Sequence, residues 1–178
     1  EYPGNAACVC VPYDGLYVFK DNIKYAYDMG FSSYYMQGNF NTESSGFTPL
    51  KVYVASKLMW DSSLDTMTLA YDYIDHCYGD AAPYMRGYFD ALRDHMAYLR
   101  DKKDFGKNVL EGYLYASYWP LSKLNEFQVY FDQAYAAIEP LKTGNPDQYE
   151  VLFRKIMIEE MFLRYAKCEL YLNKFSYD

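Results

Sequence analysis

The side chains of this chain that could do chemistry are few and scattered. Cys8 and Cys10 sit two apart on a short apolar run, AACVCV at 6–11, and on an extended segment they would face the same way. Such a pair could clip a metal or cycle through a disulfide, but a zinc site needs four ligands at recognisable spacing. Only His76, Cys77, His95 and Cys168 remain to complete a set, and none forms a second compact pair. No metal and no cofactor is expected, and the cysteines read as small buried hydrophobes. Two histidines in all leave little room for imidazole catalysis. Tyrosine is the abundant side chain, at 23 of 178 residues. Rings that stack and hydroxyls that bond would suit a sugar-binding surface, while rings that tip amphipathic helices would serve packing. Most of these tyrosines fall at helical spacing, so packing accounts for the majority and a few remain for a site.

The elements that must position these groups are mostly helical. Pro12-Tyr13-Asp14-Gly15 is a turn, because proline fixes φ and glycine tolerates the closing conformation. Leu16, Phe19, Ile23, Ala26 and Tyr27 then recur at helical spacing until Gly30 stops the helix. The stretch 32–37 reads as a strand ending in the polar Gln37-Gly38-Asn39, and 7–11 as a possible second strand. Helix, glycine and strand in quick succession form an αβ unit of the kind that builds parallel sheets. Thr48-Pro49 opens a helix to about Trp60, Ser63 or Asp65 caps the next, and Tyr78-Gly79 closes it. Met85, Tyr88, Leu92, Met96 and Leu99 mark the buried stripe of a further helix, followed by helices at about 122–138 and 148–173. The last carries Glu160/Arg164 in the favourable i,i+4 order, and its apolar positions imply packing on two sides.

Composition excludes some classes. A net charge of -7 argues against a nucleic-acid partner, which calls for a basic stripe. No apolar run approaches the roughly 20 residues that span a bilayer.

KDNIKYAYDMG (20–30), SSYYMQGN (32–39), ASKLMWDSSLD (55–65) and CYGDAAPYMRGYFDAL (77–92), in that order and spacing, resemble a bacterial family called Domain of Unknown Function 4838. That family is similar to glycoside hydrolases built on the TIM barrel. The resemblance implies a mostly α chain with a small β component. Residues 1–47 would supply the last αβ unit of a truncated TIM-barrel-like domain, and residues 48–178 a helical region packed on it. It also implies a carbohydrate ligand, an extracytoplasmic location, and a site at the C-terminal ends of the strands. Gln37 and Asn39 fall there; an amide both donates and accepts, which suits sugar hydroxyls. Tyr13 and Tyr35 would be stacking rings, and Asp14 a further substrate contact.

Glycoside hydrolysis needs two carboxylates at fixed separation, about 5–5.5 Å for retention or about 6.5–9.5 Å for inversion. Asp14 and Glu43 are isolated, each with an ordinary turn or loop role. Asp72, Asp75, Asp90 and Asp94 fall on helical faces and are expected to be solvated. The expectation is therefore a portion of a glycoside-hydrolase-like protein that contributes substrate contacts but no complete catalytic site. The alternative is a non-catalytic helical module that binds glycan or protein. A barrel unit without its neighbours would also leave Tyr34, Met36 and the apolar face of helix 16–29 under-buried, inviting self-association.

Overall fold

A computed structural model describes residues 10–36, 46–103 and 114–172. Their helices follow the chain as α1 (Leu16–Asp28), α2 (Thr48–Trp60), α3 (Thr66–Tyr78), α4 (Ala82–Lys103), α5 (Leu121–Ile138), α6 (Leu141–Gly144) and α7 (Pro146–Tyr171). A single 3₁₀ turn, Gly79–Ala81, joins α3 to α4.

Local chemistry accounts for most boundaries. Gly30 sits at φ +76°, with its N–H bonded to the carbonyl of Tyr27 and that of Phe31 to the carbonyl of Ala26. That is a Schellman ending, and it closes α1 where the glycine predicts. Asp65 caps α3 by accepting from the Thr68 N–H at 2.7 Å, and Asn145 does the same for α7 through Gln148. α2 starts one residue earlier than the proline suggests, after Phe47 in a left-handed turn.

The strand is the correction. Among the described residues no strand forms, and 32–36 is irregular chain, as are residues 10 and 11. The small β component and the αβ unit of a TIM-barrel-like domain are therefore overturned. The alternation that suggested a strand is present: Tyr34 and Met36 are half-buried against the core while Tyr35 between them is exposed. A strand, however, is completed by a ladder. β propensity expresses fit to a pleated neighbour rather than a backbone preference, and among the described residues no strand lies alongside. The rest of the pattern at 7–9 and the end of the segment at Gln37 lie outside the described residues.

The core forms one cluster running from Val11 to Tyr171. α4 packs between α3 and α5, α5 packs on α7, and α1 reaches this group through α2. Met85, Tyr88, Leu92, Met96 and Leu99 are all buried. Rings dominate the centre: Tyr88 lies 4.4 Å from Phe131, and Trp119 meets Phe162 edge-on at 4.6 Å. The Tyr171 hydroxyl donates to the Trp119 carbonyl at 2.9 Å, tying the end of α7 to the start of α5. α7 contacts α3, α5 and α6, so it is packed on more than one side. The apolar face of α1 is not under-buried as expected: Leu16, Phe19 and Ile23 are buried, and Tyr25 and Tyr27 are exposed on the opposite face. Among the described residues, no helix is long and apolar enough to cross a membrane.

Candidate functional site

Two groups of polar side chains stand out, one sealed and one open. The sealed group lies where the chain before α1 and the start of α2 meet α4 and α7. Glu159, 2% exposed, accepts the Phe47 N–H at 2.8 Å and faces the Tyr78 hydroxyl at 3.5 Å. Burial pushes its carboxyl up to about 7, against the opposing pull of the Phe47 N–H and the Lys51 charge. Lys51, 4% exposed, donates to the Tyr13 carbonyl. Its ammonium is lowered to about 8, again by burial, with Asp14 and Glu159 pulling the other way. Asp14, whose side chain is 8% exposed, lies 3.9 Å from Arg93 and 3.8 Å from Arg100.

Perturbed ionisable groups in a cleft are functional candidates, although structural networks perturb them too. Access decides between the two here. The adjoining crevice, lined by Pro12, Asp14, Lys51 and Phe89 among others, has a volume of only about 20 Å³, room for about one water. A crevice of that size among the described residues has no room for a substrate. They form a clasp that holds the chain before α1, and the left-handed turn at Phe47 (φ 58°), against the bundle.

The open group lies between α4 and α5. A cleft of about 720 Å³ is lined by Asp90, Asp94, His95 and Tyr98 of α4 and by Lys123, Glu126 and Tyr130 of α5, among others. That is within the size range of small-molecule sites. Gly87 shapes its floor, because a methyl group there would meet the Tyr130 ring at 2.5 Å. The missing side chain lets that ring lie against α4. Tyr98, 51% exposed, stacks on His95 with ring centres 6.1 Å apart. His95 is itself buried; its Nε2 lies 2.8 Å from the Tyr118 carbonyl. A carbonyl only accepts, so Nε2 carries the proton and Nδ1 is left as an acceptor. Burial lowers the His95 pKa by disfavouring the charged ring. Lys123 bonds Glu126 at 2.6 Å, Asp90 accepts from the Tyr71 hydroxyl at 2.9 Å, and Asp94 is exposed with no partner among the described residues.

Of the site residues read from the sequence, Tyr13, Asp14 and Tyr35 lie among the described residues. Tyr13 and Asp14 belong to the sealed clasp, to which Tyr13 contributes its carbonyl. Tyr35 is 78% exposed on the irregular segment after α1. Gln37, Asn39, Glu43 and Cys8 lie outside the described residues. Among the described residues, no three His, Cys, Asp or Glu side chains are placed to hold a metal ion. The cleft was missed because its carboxylates look like any solvated helical face. Gly87 is the available signal: glycine inside a helix costs about 1 kcal/mol relative to alanine, and its presence points to a close approach.

Residues 1–90 match the model of a family described as a domain of unknown function, DUF4838. The match ends inside α4, so it takes in Asp14, Phe47 and Lys51 of the clasp but only Gly87 and Asp90 of the cleft lining. No curated protein and no solved structure matches the chain.

Proposed function

The chain belongs to the DUF4838 family, and from that premise we propose that it is a helical carbohydrate-binding module of a carbohydrate-active protein, with the α4–α5 cleft as its binding site. The observation that supports this reading is the pairing, in one open cleft, of the exposed Tyr98 ring and the half-buried Tyr130 ring with hydrogen-bonding groups. The Tyr98 and Tyr130 rings present apolar surface to the C–H face of a pyranose. Asp94, Glu126 and His95 accept from its hydroxyls, and Lys123 donates. Binding rather than hydrolysis is proposed, because this reading assigns no acid–base pair to the cleft.

Titration of the chain with a panel of soluble oligosaccharides, followed by calorimetry or by amide chemical shifts, tests the proposal. Shifts are expected in α4 and the first half of α5. Tyr98→Ala should weaken affinity about three- to tenfold, the worth of one ring contact, while the fold stays intact. Gln37→Ala provides the contrasting arm. Affinity lost there and kept in Tyr98→Ala would move the site to the Gln37–Asn39 segment and overturn the assignment to the cleft. No binding of any sugar would overturn the function.

A further inference from the structure

We infer that the α4–α5 cleft is a track for a straight, β-1,4-linked glycan, gripped on alternate units: Tyr130 stacks on the first sugar and Tyr98 on the third. This rests on the carbohydrate reading of the cleft and narrows its ligand from a sugar to an extended chain of at least three units.

The cleft is long because two helices line it along their length. Gly87 of α4 lies against Tyr130, and His95, farther along α4, meets Trp119 just before α5 at 5.0 Å. The helices therefore run antiparallel, and their lining stretches coincide. On α4 the lining extends from Gly87 to Tyr98, about 16 Å of helix, and on α5 from Pro120 to Tyr130, about 15 Å. Gly87, Ala91, Asp94 and Tyr98 recur at i, i+4, i+7 and i+11, which sets them in one line along α4. The first two carry little or no side chain, so the line has a low floor that leads to the Tyr98 ring.

The spacing of the rings is a separate observation. Tyr130, half-buried, rests on α4 at Gly87. Tyr98, 51% exposed, leans back along α4 as helical side chains do and stacks on His95 with ring centres 6.1 Å apart. From Gly87 to His95 the helix rises about 12 Å, a little over two turns. A β-1,4-linked pyranose advances the chain by about one helical pitch, ~5.4 Å. Successive units are turned over, so the first and third present the same face to the same wall. Rings about two turns apart thus match alternate units. An α-1,4 chain curls away from that line, and straightening it costs conformational freedom. The middle unit falls beside Asp94, Lys123 and Glu126, whose acceptors and donor suit hydroxyls that both donate and accept.

Calorimetry of the whole chain with β-1,4-linked glucose oligomers of one to six units, beside the α-1,4-linked series, tests the inference. In the β series, affinity should rise about three- to tenfold from dimer to trimer, as the second ring engages, and level off beyond the tetramer. The α series should show no such step. Tyr98→Ala should abolish the step yet keep dimer binding, because the Tyr130 end still takes a dimer; that binding also shows the variant folded. Tyr98→Phe should keep the step, since the ring face and not the hydroxyl is engaged. A β series with no step would overturn the two-ring track and leave the cleft a site for a single sugar. An equal step in both series would overturn the straight-chain requirement. A step that survives in Tyr98→Ala would overturn the place given to Tyr98, and dimer binding lost there in a folded variant would overturn the place given to Tyr130. Silence from both series while another sugar binds would overturn the track alone. Silence from every sugar would overturn the track and the carbohydrate reading together.

Discussion

The clasp at Glu159 and the cleft at Asp94 are built from the same kinds of side chain, and solvent access separates them. In the clasp, Lys51 and Glu159 are withdrawn from water, and burial moves both towards neutrality, to about 8 and about 7. Such groups are costly to bury and costlier still to leave unpaired. Their role is to hold the chain on either side of α1 to the bundle. In the cleft, Asp94 and Glu126 remain in water, contribute little to folding and stay available to a ligand. Glu160, next to Glu159 on α7, shows how far local partners decide. Burial pushes its carboxyl up too, but Arg164 at 2.7 Å, Gln128 at 2.9 Å and Tyr135 at 2.8 Å outweigh it and hold it below the usual range.

The sharpest way to break this comparison is at Glu159. Glu159→Ala leaves the buried Phe47 N–H without its acceptor and removes one of the two carboxylates whose charge acts on Lys51. Loss of about 3–5 kcal/mol in urea unfolding is expected, with sugar affinity unchanged wherever the variant is folded. A loss below about 1 kcal/mol would mean that the clasp is ornamental.

Titration gives the next largest effect. Glu159 binds its proton more tightly folded than unfolded, its pKa rising from 4.5 to about 7. Its share of stability is therefore complete below about pH 4.5 and is lost as pH rises through about 7. Lys51 runs the other way: its pKa falls from 10.5 to about 8, so its share is present above about 10.5 and is lost as pH falls through about 8. The pair is thus least favourable between about 7 and 8. Relative to Glu159→Gln, the native chain should lose about 3 kcal/mol of unfolding free energy between about pH 4.5 and 7. A difference that does not vary over that window refutes the buried-acid account.

A smaller effect is expected at Gly87. Alanine there gains about 1 kcal/mol in helix propensity but drives a methyl group into the Tyr130 ring, and overpacking costs about 1–3 kcal/mol. The net should be a loss of about 1 kcal/mol together with weaker sugar binding as the ring lifts off the floor. Binding as tight as in the native chain would show that the position of Tyr130 is irrelevant. Smallest of all, Asp94→Asn should leave unfolding free energy within about 0.5 kcal/mol. A larger change would place Asp94 with the structural groups and erase its contrast with Glu159.

Much of the helical frame is legible without coordinates. Gly30, Asp65 and the stripe from Met85 to Leu99 act within a turn or two of the chain, and each does in the fold what its spacing predicts. The Glu160/Arg164 pair is likewise one turn apart and forms. The strand read at 32–37 does not form over its described residues 32–36, because alternation is only half of a strand and the ladder comes from elsewhere. Asp14 was singled out from its turn, but the turn does not reveal that Arg93 and Arg100 close over it. The cleft was illegible for the opposite reason: Asp90, Asp94 and Glu126 become a site only once α5 lies beside α4.

By itself, then, the sequence determined the caps, the apolar stripes and the helical character, because these depend on interactions between residues a few positions apart. Tertiary structure alone decided which charges leave water. Glu159 meets Phe47 across 112 positions, and Lys51 reaches Tyr13 across 38. Whether a carboxylate is a solvated surface group, a ligand contact or a buried acid near neutrality depends on the dielectric and the donors around it, and distant segments supply both.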